Sequence, residues 1–128
     1  MTVSPRPAAR PARAELLVLQ KAEDSAAWLF AHTQRWPKSA RFVVTQRLQG
    51  HVLDVIDELV QARYERRDRA ARLARANLRL ERMRHLLRLA KTIGVCPART
   101  FTGAMRRLDE IGRMLHGWRA RLGGEAAP

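Results

Sequence analysis

Apolar residues recur along this chain at intervals of three and four and almost never alternate, which is the period of an α-helix and not of a strand. Four such stretches stand out. The first predicts a helix from about Glu15 to Arg35, with Leu19, Ala22, Ala26, Leu29, Phe30 and Thr33 on one face. Trp36-Pro37-Lys38-Ser39 then stops it: Pro37 bars Trp36 from the α region, and the Ser39 hydroxyl is expected to cap the next helix. A second helix covers about Ala40 to Arg66 and turns Leu48, Val52, Val55, Ile56, Leu59 and Val60 to one side. A third, about Asp68 to Ile93, carries a seam of Leu73, Ala76, Leu80, Met83, Leu87 and Ala90, and ends at Gly94, where a left-handed cap costs little. The fourth opens at Cys96-Pro97 and runs to about Leu122, with Met105, Leu108, Ile111 or Gly112, Leu115, Trp118 and Leu122 as its stripe; Gly123 and Gly124 are expected to end it.

Helices of this length joined by short breaks predict an all-α chain, solved as an antiparallel up-down four-helix bundle over residues 14–122. Residues 1–13, MTVSPRPAARPAR, have nothing to bury and read as a disordered basic tail, and 123–128 as a disordered C-terminal one. A single Cys96 excludes an internal disulfide, and with no apolar run of membrane-spanning length the expected setting is the reducing cytoplasm.

Charge changes the picture from a generic bundle to one with a partner. The chain of 128 residues has a formal net charge of +13, and 22 of its 25 basic residues are arginine. The span from Arg69 to Lys91 alone holds eight of the 25 against one acid, Glu81. Such a field draws nucleic acid or anionic membrane before any specific contact forms, and the planar guanidinium grips phosphate with paired hydrogen bonds. Beside the third helix's seam, Arg72, Arg75, Arg79 and Arg82 form a ribbon whose continuation is Leu86, Leu89 and Ile93. One flank is therefore cationic at its start and apolar at its end. The apolar half suggests a broad core or a subunit interface, and the cationic half a polyanion site, extended by Arg69 and by Arg106, Arg107, Arg113, Arg119 and Arg121 of the fourth helix.

Catalytic constellations are missing from the pattern. Glu81 and His85 share a helix face without a second ligand pair, so no metal or other cofactor is expected. Asp54, Asp57, Glu58, Asp109 and Glu110 read as salt-bridge partners for nearby arginines and not as acid–base pairs. Cys96 lies at a helix start but has no base in evidence, so it reads as a capping or buried thiol. Trp28 and Trp118 read as core or interface, while Trp36 in its turn is a candidate partner contact. Gly112 and the odd His116-Gly117 are read as places where another helix or chain comes close. A membrane-surface role is disfavoured because no helix has a strongly apolar, aromatic face.

Specific residues add a family resemblance. Arg35-Trp36-Pro37-Lys38-Ser39-Ala40-Arg41-Phe42 with Gln46-Arg47-Leu48 resembles the first interhelical turn of the Avd proteins, the accessory variability determinants of diversity-generating retroelements. Ala76-Asn77-Leu78, Leu80-Glu81-Arg82 and Leu86-Leu87-Arg88-Leu89-Ala90-Lys91 resemble the entry and exit of that family's third helix, and Leu108-Asp109-Glu110-Ile111-Gly112-Arg113-Met114-Leu115-His116-Gly117-Trp118 its last. The resemblance covers roughly residues 16 to 122. It implies a four-helix bundle assembled as a homopentamer, without catalytic activity, that binds the element's reverse transcriptase and template RNA and supports mutagenic cDNA synthesis. A related, less specific likeness is to the small bundles encoded in intervening sequences of 23S ribosomal RNA genes, which would bind RNA with no polymerase partner.

If the arginines hold phosphate, each neutralised phosphate releases counterion. Affinity for RNA in a titration over salt concentration should then fall as a straight line in log–log form, with a slope of about −0.7 per contact on a single strand. A flat line would remove the polyanion reading.

Overall fold

The computed structural model describes residues 9–126, with side chains from 12 to 123. Four α-helices are the main elements among the described residues: α1 (Ala9–Thr33), α2 (Gln46–Tyr64), α3 (Arg69–Thr92) and α4 (Ala98–Ala126). No strand occurs among the described residues. Following α1 from Lys21 to Trp28, its neighbours on α4 run from Glu110 back to Gly103. The same reversal joins α2 to α3, where Asp54 meets Arg79 and Glu58 meets Arg72.

The helical stripes meet in one core. Val18, Ala22 and Leu29 of α1, Leu48, Val52, Val55 and Leu59 of α2, and Leu108, Ile111, Leu115 and Trp118 of α4 are buried. All six residues of the expected α3 seam, from Leu73 to Ala90, are fully buried with them. Phe30, Ile56, Val60, Met105 and Leu122 pack at the edge of the core, because each lies one step round its helix from the axis of the stripe.

Helix boundaries depart from expectation in three places, each for a local reason. Helix α1 begins at Ala9, ahead of the expected Glu15, and so takes in part of the segment read as a basic tail. Alanine and arginine are strong helix formers, and Pro11 falls in the first turn, where no amide is needed. The rest of that tail lies outside the described residues. Helix α4 continues through Gly123 and Gly124 to Ala126, so these glycines do not end it; the described glycine with a left-handed φ is Gly94. Between α1 and α2, Lys38–Ala40 form a 3-10 turn and Arg41–Thr45 one turn of π-helix. Ser39 is exposed within that 3-10 turn and the cap position falls to Pro37, which offers no side-chain bond. The π turn aims Val44 and Thr45 inward and leaves Phe42 and Val43 in solvent.

At the end of α3 the expected cap is present. Gly94 has φ +81°, its amide reaches the Lys91 carbonyl at 3.1 Å, and the Val95 amide reaches Ala90 at 2.9 Å. This double bond pattern satisfies the last carbonyls of the helix and turns the chain sharply toward α4. Pro97 then accepts from the Phe101 amide at 2.9 Å and starts the last helix.

Leu80 lies mid-seam with no exposed surface. Leu80→Ala should lower the free energy of unfolding by about 2–5 kcal/mol in denaturant titration, because the void it leaves cannot close against four rigid helices.

Candidate nucleic-acid interface

The α3 ribbon lies along the α2 boundary, and acids of α2 and of the residue just past its end answer it. Arg72 stands 3.8 Å from Glu58 and 3.7 Å from Glu65, Arg75 stands 4.0 Å from Glu58, and Arg79 stands 3.4 Å from Asp54. Arg79 also donates to His51 Nδ1 at 3.2 Å, which places the proton of a neutral His51 ring on Nε2. Burial first, and then the Arg79 and Arg82 charges, hold His51 below its ordinary pKa, with Asp54 opposing them. The neutral ring therefore supports the fold above pH 6.5, and that support is lost as the pH falls through the lowered value.

These pairs sort the ribbon by availability. Arg72 and Arg79 are two-thirds or more buried, whereas the Arg75 side chain keeps 59% of its surface and touches Glu58 only at the limit of ion-pair range. Arg82 is exposed and has no ion pair among the described residues. Arg69 is spoken for: its guanidinium donates to the carbonyls of Ala62 and Arg63 and so caps the end of α2. Its charge there also meets the negative end of the helix dipole. Past the ribbon, Leu86 is half-buried, while Leu89 and Ile93 keep 48% and 55% of their surface.

The arginines of α4 divide among three faces. Arg106 and Arg107, joined by Arg99, line an open groove of about 740 Å³ against α1, whose other walls include Lys21, Trp28 and His32. Arg113 lines a separate groove against α3. Arg119 is exposed toward the C-terminal end, and Arg121 is half-buried there. In the α1 groove, Arg107 lies 4.6 Å over the Trp28 ring, and His32 stacks on the same indole at 3.9 Å. His32 Nδ1 is 2.8 Å from the Trp28 carbonyl, which fixes that imidazole to its own helix. Glu110 is tied to Lys21 at 2.9 Å, and that hydrogen bond, more than any other influence, lowers its pKa.

Several of these features escape a reading by period. Gly103 is the close helix approach: a Cβ there would stand 2.8 Å from the Trp28 ring. Gly117, expected to mark such a place, has only an ordinary contact with Arg121, and Gly112 faces the guanidinium of Arg84. Arg84 itself joins α3 to α4, with partners at Glu81, Asp109 (3.3 Å) and the Leu108 carbonyl (3.4 Å). Trp36, expected to be open to a partner, is 93% buried, while Trp28 is the half-buried tryptophan. The sequence signals for the α1 groove were Arg106 and Arg107, already read as cationic, and the i, i+4 pair Trp28 and His32, equally compatible with packing.

A family model described as bAvd-like matches residues 16–122. The chain belongs to the bAvd-like family. No curated protein matches it. The match spans all four helices and agrees with the resemblance carried by the first interhelical turn and the last helix. Avd-like proteins form an accessory, non-catalytic family. Among the described residues, no three histidine, cysteine or acidic side chains converge as metal ligands, and no helix is long and apolar enough to cross a membrane.

Cys96 is buried with its Sγ 3.6 Å from the Pro97 carbonyl, and burial raises its pKa from 9.0 to about 11 despite the nearby Lys91. The fold thus favours the thiol. Its contribution to stability is complete below pH 9.0 and is lost as the pH rises through about 11. Unfolding midpoints of wild type and Cys96→Ala should therefore converge over that window, and native Cys96 should stay slow toward alkylating reagents until it is reached.

Proposed function

We propose that this member of the bAvd-like family is a non-catalytic accessory protein of a diversity-generating retroelement, working in the cytoplasm. It binds the element's reverse transcriptase and template RNA and supports mutagenic cDNA synthesis as a homo-oligomer of antiparallel up-down bundles, a pentamer on the family's pattern. The observation that carries this reading is the cationic surface of α3 and α4, on which Arg75, Arg82, Arg106 and Arg113 are exposed, in a chain of this family. Contacts of that kind position a backbone without reading its sequence. Arg72 and Arg79 have weaker claims to RNA because α2 acids already hold them, and Arg69 acts as a cap.

The apolar half of the α3 flank supports assembly. Leu89 and Ile93 are exposed there. Exposed aliphatics of this size at one end of a bundle are costly unless covered.

Co-expression with a reverse transcriptase and its template RNA tests the proposal directly: all three should co-purify. Arg75→Glu with Arg82→Glu should weaken RNA binding and flatten its salt slope while leaving helicity and particle size unchanged. Leu89→Glu with Ile93→Glu should instead reduce particle mass in light scattering. A wild-type chain that is monomeric and shifts no RNA at low salt overturns the reading.

A further inference from the structure

The α1–α4 groove is built differently from the ribbon. Four cations, Lys21, Arg99, Arg106 and Arg107, face it against one carboxylate, Glu110, and Lys21 already neutralises that carboxylate. Unlike Arg72 and Arg79, the remaining arginines have no acid partner among the described residues. Arg107 is nevertheless not loose: the Trp28 ring beneath it holds the guanidinium in place through a cation–π contact, which leaves its donors unspent. Trp28 is held in turn. Gly103 lets the indole lie against the α4 backbone at a distance no side chain would permit, and His32 stacks on it, anchored to the Trp28 carbonyl.

An arginine fixed before binding loses little rotamer freedom when it grips an anion, so such a site is stronger per charge than a solvated face. Successive backbone phosphates offer each guanidinium fork its own pair of oxygens, and α4 begins at the groove's end, where free backbone amides favour negative charge. The concavity lies between two helices and its arginines line one wall, an arrangement suited to the backbone of an extended strand.

We propose that the α1–α4 groove is a phosphate clamp for an unpaired RNA strand, with Arg99, Arg106 and Arg107 as its ligating groups and the Trp28–Gly103 contact as its support. This rests on the RNA-binding reading above and assigns a place to it. Trp28 and Gly103 are positioning residues: they act through Arg107. The groove and the α3 ribbon lie on different helix boundaries, so Arg75 and Arg82 remain available to hold a further stretch of the same RNA.

Fluorescence anisotropy with a short unpaired RNA tests the clamp. Arg99→Glu with Arg106→Glu, both exposed positions, should cost about tenfold in affinity and lower the salt slope by about 1.4, two phosphates at about 0.7 each. The pair should leave the circular dichroism unchanged. Arg106→Lys, which keeps the charge and loses the fork, should fall between. Gly103→Ala should displace Trp28, changing its fluorescence, and weaken RNA binding while leaving Arg99 and Arg106 in place. Wild-type binding that these changes leave intact, while Arg75→Glu with Arg82→Glu abolishes it, overturns the clamp and keeps RNA binding. Failure of the wild type to bind at low salt overturns both. Displacement of RNA by polyglutamate at equal charge would make the occupant an acidic protein segment and likewise overturn the clamp.

Discussion

Guanidinium groups repel one another, and any fold of this chain has to separate, pair or solvate 22 of them in 128 residues. At 4 Å two like charges cost about 4 kcal/mol near a protein surface, comparable with a sizeable part of a small domain's stability. The bundle answers this in distinct ways. Asp54 and Glu58 of α2, with Glu65 just past its end, stand opposite Arg72, Arg75 and Arg79, so the most cationic helix is laid against a line of acids. Arg69 and Arg84 are bound to backbone carbonyls, Arg107 to an indole, and Arg82, Arg106 and Arg113 project into water. The choice of α2 as the neighbour of α3 is thus electrostatic as well as hydrophobic.

Pairing of this kind also decides what remains for a ligand. The α2–α3 contacts are mostly long, between 3.4 and 4.0 Å, so they neutralise charge at a distance without consuming every donor. A guanidinium with five donors can satisfy an acid on one side and offer a fork on the other. Functional and structural roles for these arginines therefore form a gradient set by exposure, from the two-bond cap at Arg69 to the open Arg82.

What could be read from sequence follows from the same physics. The α3 seam was legible in full, because six apolar residues at heptad spacing have one arrangement that buries them all. Gly94 was legible because a glycine after a periodic stretch has a specific backbone use, which its φ of +81° fulfils. The ends were not. Alanine and arginine carry α1 back to Ala9 without any apolar signal, and Gly123 and Gly124 remain helical because each helical φ/ψ is open to glycine too, only at a cost. Nor does period distinguish an arginine facing acids from one facing water: Arg79 and Arg82 sit three residues apart on one ribbon, yet only Arg79 meets Asp54. The π turn at Arg41–Thr45 was hidden because it changes which residues point inward without changing their identity.

One consequence concerns the link between α2 and α3. Glu65, Arg66, Arg67 and Asp68 are all exposed there, and Asp68 takes a left-handed φ of 60°. Among the described residues, trypsin meets two consecutive arginines outside any helix at this short stretch. A cut at Arg66 or Arg67 would divide the chain into two helix pairs of similar length. Arg69 lies beyond that point and reaches back across it to the carbonyls of Ala62 and Arg63, so a side chain spans the link as well as the backbone. The two helix pairs are thus joined at this link by the backbone and a guanidinium clasp together.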